Sequence, residues 1–230
     1  MITVKGNGNS LKYIKNPSDT DIWNTLKSNV WAIEYVENPT EEMCLFAVKK
    51  AWNTIKFIQN PSYEVIKEAV NSKGWAIQFI KDPSIELQRI AVERDFDSIK
   101  FIKEPCEEIQ IIAVKNGWTA IKYINSPSEK VEIEAIKSNE EAMRYINNLT
   151  KDKIKKFVKV NIKIVKYLDK EAMKSVMDVI QEQIGKEDVE DKYIIDFIQC
   201  QAFSFNKVTY IYKFGSMKAK RILLDYKLSI

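Results

Sequence analysis

Pro61-Ser62-Tyr63-Glu64-Val65-Ile66-Lys67-Glu68-Ala69-Val70-Asn71-Ser72-Lys73-Gly74-Trp75-Ala76-Ile77-Gln78-Phe79-Ile80-Lys81-Asp82 runs up to Pro83, and reading this stretch decides the fold. Its first half places Val65, Ile66, Ala69 and Val70 on one side of a helix of about ten residues, started by a capping side chain beside a proline suited to a first helical turn. A turn near Asn71-Ser72-Lys73-Gly74 follows. Trp75 to Ile80 then reads as a second short helix, stopped by the next proline. At 100° per residue Ala76, Phe79 and Ile80 share one side and Gln78 projects opposite.

Outward from this unit the pattern recurs. All six prolines belong to one series, Pro17, Pro39, Pro61, Pro83, Pro105 and Pro127, with a constant 22-residue step. An aromatic precedes each by four residues (Tyr13, Tyr35, Phe57, Phe79, Phe101, Tyr123), and Tyr145-Ile146 and Tyr167-Leu168 extend the column past the last proline. Ala47-Val48, Ala69-Val70, Ala91-Val92, Ala113-Val114 and Ala135-Ile136 repeat in the same register. Helices this short are marginal alone, and stacking them builds a continuous core. The expectation is an all-α protein, an α-solenoid of about seven to eight short helix pairs. Residues 1–9 are a lead segment, 10–184 the tandem repeats, degenerate after 148, and 185–230 a divergent cap. Within the cap, 201–215 reads as helix or strand, with helix favoured, and Lys218 to Leu224 fits an amphipathic last helix whose outer face is polar.

The pattern Pro-Ser-x-Glu-Val-x-x-x-Ala-Val followed by Trp-Ala-Ile-x-Phe-Ile resembles the short tandem helical repeats of bacterial and phage proteins. More distantly it is similar to leucine-rich variant and HEAT-like repeats, over roughly residues 10–170. The resemblance implies a solenoid but no common activity. It also keeps open a nucleic-acid reading and an enzymatic one, since HEAT-like relatives include DNA glycosylases. The cysteines of a leucine-rich-variant iron–sulfur module are missing.

Composition narrows the chemistry. There is no histidine among 230 residues, so Ser-His-Asp triads, HExxH helices and Cys/His zinc fingers are excluded. Cys44, Cys106 and Cys200 are odd in number and widely spaced, which fits a reducing compartment. Cys106 stands where other units have a capping serine or threonine. The acid pairs Glu41-Glu42, Glu107-Glu108 and Glu140-Glu141 fall at helix starts and read as surface charges. No catalytic residue, metal site or cofactor is expected, nor a membrane segment, and the expected location is the cytoplasm.

Binding surfaces are better represented. The column at Gln78 reads Glu34, Lys56, Gln78, Lys100, Lys122, Arg144 and Lys166, a candidate basic ladder on an exposed face. Trp31, Trp52, Trp75 and Trp118 flank it as stacking groups, interface anchors or wedges between repeats. Residues 1–150 hold 19 basic and 21 acidic residues, whereas 151–170 hold eight lysines and two aspartates. Lys155, Lys156, Lys159 and Lys163 therefore join the candidate set. The leading expectation is a non-catalytic module that binds another protein with an acidic surface, for example a phage-type inhibitor or adaptor of a larger bacterial complex. Contact with nucleic-acid phosphates through the lysines is the alternative, and a DNA-processing enzyme a second one. A solvated lysine-rich face is the plainer account of the ladder.

Overall fold

A computed structural model describes residues 10–229. Every regular element among them is helical. Seven α-helices of ten residues, α1 (Asp19–Ser28), α2 (Glu41–Lys50), α3 (Tyr63–Ser72), α4 (Ile85–Arg94), α5 (Glu107–Asn116), α6 (Glu129–Ser138) and α7 (Lys151–Val160), each lead into a six-residue 3-10 helix. Those 3-10 helices are Val30–Tyr35, Trp52–Phe57, Gly74–Phe79, Phe96–Phe101, Trp118–Tyr123, Glu140–Tyr145 and Ile162–Tyr167. Within each compact unit consecutive repeats pack against one another, giving the expected all-α, solenoid-like fold. The chain divides into two compact units, Met1–Asn116 and Gly117–Ile230.

The helix starts follow from local chemistry, with one correction. In α3 the N-cap is Ser62, whose hydroxyl accepts the Val65 N–H. Thr40, Ser84, Ser128 and Thr150 do the same for their helices. Each proline therefore stands one residue before the cap, outside the first helical turn where the sequence reading put it. The residue before the proline takes a left-handed conformation at Asn16, Asn60, Asp82, Glu104 and Ser126, though not at Asn38, and Asn148 takes it in the same register, with φ between 48° and 58°. Asparagine and aspartate tolerate this region best. Asn148 keeps the turn although Leu149 replaces proline, which is why the repeat outlasts its marker.

The second helix of each unit differs from expectation. It is 3-10, not α, and joins the preceding α-helix through one extended residue such as Lys73. At three residues per turn the inward positions become Ala76 and Ile77, both buried, while Phe79 stays 40% exposed and Ile80 half-buried. The small-residue column Ala32, Thr54, Ala76, Ser98, Ala120 and Ala142 is buried throughout, as are the Ala-Val pairs of the α-helices. Gly74 is fixed by a close approach: a Cβ there would lie 2.3 Å from the Ala91 carbonyl oxygen.

The ten-plus-six alternation stops at Tyr167, and α8 (Lys170–Ile184) runs for fifteen residues. Beyond it come α9 (Asp191–Gln199), α10 (Lys207–Phe214) and α11 (Met217–Leu228), so the 201–215 segment is turn followed by helix. Phe197 centres the cap, with the rings of Phe203 and Tyr210 5.1 and 6.0 Å away. Among the described residues no helix is long and apolar enough to cross a membrane.

Candidate binding surface

The ladder column is exposed at every position from Glu34 to Lys166. Its members are not equivalent, because 3-10 geometry stacks each of them over the residue three before. Gln78 donates to the Trp75 carbonyl oxygen at 2.9 Å. Lys100 pairs with Asp97 at 2.9 Å and Arg144 approaches Glu141 at 4.0 Å. Lys166 reaches back one repeat to Glu140 at 3.0 Å.

In the first unit the tryptophans bridge repeats, as the wedge reading holds. Trp31 meets Phe57, Trp52 meets Phe79 and Trp75 meets Phe101, with ring centroids 6.0 to 6.3 Å apart. Lysines of the ladder lie over these rings. The Lys56 ammonium is 4.7 Å from the Phe57 centroid and 5.8 Å from that of Trp31, and Lys100 is 4.0 Å from Trp75. Asp97 completes the cluster by accepting from the Trp75 indole at 2.7 Å. Burial pushes the Asp97 carboxyl up, but hydrogen bonds from Trp75 and Lys100 outweigh it and hold the group below its ordinary range. The second unit repeats the motif at Trp118, Lys122 and Tyr145, where the ammonium lies 5.0 Å from the tyrosine ring. Lys56 and Lys122 have no carboxylate within ion-pair distance among the described residues.

The lysines of 151–166 occupy a different setting. Lys151 pairs with Glu171, Lys153 with Glu132, Lys155 with Asp178, Lys156 with Glu129 and Lys159 with Glu182. Lys163 and Lys166 share Glu140. The acids come from α6, its 3-10 helix and α8, so a window that counts only 151–170 overstates the local charge. Glu140, read from the sequence as a surface charge, is buried instead. Its burial raises its pKa, and the hydrogen bond from Lys166, a backbone hydrogen bond and Lys163 bring it below the usual carboxylate range. Lys166 is raised in return by its hydrogen bond to Glu140, against some desolvation.

Glu132 is the other residue the sequence reading missed. It is 3% exposed, and Lys153 contacts both its oxygens at 2.6 and 2.8 Å. Lys153 stands in the column of Met43, Val65, Leu87, Ile109 and Val131, every one of them a buried apolar residue. The break in that column was the available signal. The pair floors a polar cleft of about 510 Å³ beside Lys122, Asn148 and Tyr145. An equivalent cleft in the first unit, of about 740 Å³, has Cys44 and Val65 in their places.

Among the described residues no group of three or more histidine, cysteine or acidic side chains is placed to hold a metal ion. Cys106 is exposed, and its carbonyl accepts the Gln110 N–H at the start of α5. These features define a helical-repeat protein whose two units each expose aromatic and cationic side chains. No protein-family model, curated protein or solved structure matches the chain.

Proposed function

We propose that the chain is a non-catalytic binding protein that engages another protein through the exposed 3-10 helices of its two units. The observation that supports this reading is the repeated exposure of aromatic rings, with Lys56 over Trp31 and Lys122 over Tyr145: Trp31, Phe79, Tyr123 and Tyr145 each remain about two-fifths exposed in a fold that buries its aliphatic columns almost completely. Aromatic side chains with a polar or cationic neighbour are what protein interfaces concentrate at their anchors. Lys56 and Lys122, lacking carboxylate partners, favour a partner with an acidic surface. The resemblance to phage-type repeats suggests one concrete form, a cytoplasmic inhibitor or adaptor acting on a larger bacterial complex. Nucleic-acid binding is the weaker reading, because attraction to a polyanion follows the local net charge, and the lysines of 151–166 already face carboxylates.

The test is affinity capture from bacterial lysate with the native chain and with Lys56→Glu/Lys122→Glu, alongside a nucleic-acid filter assay at low and physiological salt. A saturable protein partner lost in the folded double variant is the expected result. Equal capture by both, or tight nucleic-acid binding that falls steeply with salt and with the double substitution, contradicts it.

A further inference from the structure

We infer that α11 is the interface of a two-fold dimer, in which it packs antiparallel against α11 of a second copy. A helix that caps a solenoid ordinarily turns a polar face outward, and the sequence reading expected one on α11. Instead Ala219, Ile222 and Leu223 face the cap interior, while Met217, Leu224 and Leu228 are 73%, 48% and 87% exposed. With Arg221 these residues are spaced four, three and four apart, the seam spacing of a helix that packs on another helix.

The seam is complementary to itself. A two-fold axis near its middle sets Met217 against Leu228 of the second copy and Arg221 against Leu224, each pairing occurring twice. In this register Arg221 also comes beside Asp225 of the second copy. Both residues are exposed and have no ion-pair partner of their own among the described residues, although they stand four apart on one helix. Ser216 caps α11, and the Glu187 carboxylate accepts the N–H groups of Met217 and Lys218 at 3.0 and 3.3 Å. Lys227 of the second copy, next to its Leu228, arrives at that carboxylate. An open groove of about 610 Å³ runs between Glu187, Met217, Arg221 and Leu224, where the incoming Leu228 fits. A parallel pairing would instead bring Arg221 to Arg221 and leave Glu187 without a cation.

A seam this short belongs with small, weak interfaces, so half-association is expected at about 10–100 μM chain. The experiment is sedimentation equilibrium of the full chain over a concentration series, with circular dichroism as the control for folding. Native protein is expected to show a monomer–dimer equilibrium, and Leu224→Glu to weaken it at least ~10-fold at unchanged helicity. If Leu224→Glu loses helicity, Leu228→Glu replaces it, at a site that makes little contact within the chain. Arg221→Asp is expected to weaken association and Arg221→Asp/Asp225→Arg to restore it. A monomer up to about 500 μM, a dimer indifferent to both leucine substitutions, or a double reversal that fails to restore association overturns the proposal.

Discussion

The joint between Trp52–Phe57 and Gly74–Phe79 in the first unit and those around α7 in the second use the same backbone and opposite chemistry. Between Trp52–Phe57 and Gly74–Phe79 a tryptophan lies against the aromatic of the next repeat over buried Ile55, Ala76 and Ile77, whereas the following joint adds the Lys73–Asp95 ion pair and the Trp75–Asp97 hydrogen bond to the contact of Trp75 with Phe101. Around α7 the corresponding places hold Glu140 against Lys163 and Lys166, and Glu132 against Lys153. An apolar joint draws on area removed from water and is indifferent to pH. An ionic joint must offset desolvation, and is sound only while both partners are present and charged. The two regions therefore show two kinds of lysine: those that hold repeats together and those displayed over rings at the surface.

The largest effect that can break this contrast is expected from Lys153→Met, which leaves the Glu132 carboxylate buried without its cation. A loss of about 3–5 kcal/mol is expected, read by urea unfolding. Replacing the pair together, Glu132→Ile/Lys153→Val, gives these positions the apolar chemistry of Ile66 and Leu87 in the first unit and is expected to fall within about 1 kcal/mol of the native chain or above it. Persistent destabilisation in the double variant would mean that the pair does more than occupy an apolar slot.

Next comes Trp75→Ala, which removes the contact with Phe101, the hydrogen bond to Asp97 and the ring beneath Lys100. Because the indole is half-buried rather than enclosed, a cost of about 2–3 kcal/mol is expected. This loss should change little in about 1 M salt, because most of it is apolar area returned to water.

A smaller, regional effect is expected from pH. The folded-state pKa of Glu140 is lowered, so its contribution is complete above the ordinary carboxylate range and is lost as the pH falls through the lowered value. Lys166 is raised, so its share is complete below the ordinary lysine range and is lost as the pH climbs through the raised value. Hydrogen exchange, compared at matched chemical exchange rates, should show peptides of 140–167 loosening in acid before those of 52–79. Simultaneous loosening would remove the distinction between the joints.

Much of this architecture was legible in the sequence, because the 22-residue period, the capping hydroxyls and the Ala-Val columns are local or strictly repeated signals. The column at Gln78 was correctly placed outside. The form of the second helix was not legible: over six residues, periods of 3.0 and 3.6 select nearly the same positions, and only the burial of Ile77 in place of Phe79 separates them. The role of the proline was hidden by the left-handed residue before it, a conformation that Glu104 and Ser126 adopt without any sequence signature. The lysines of 151–166 were misread as a basic patch because their carboxylates lie about one repeat away, on α6, its 3-10 helix and α8. That distance is invisible to a charge count along the chain.

The division of the lysines into two kinds is tested most directly by the urea midpoints of Lys153→Met and Lys56→Glu/Lys122→Glu, measured side by side. A large fall is expected for the first and a change below about 1 kcal/mol for the second, since exposed cation–π contacts contribute only that much. Equal destabilisation, or a fall confined to the Lys56/Lys122 variant, would contradict it.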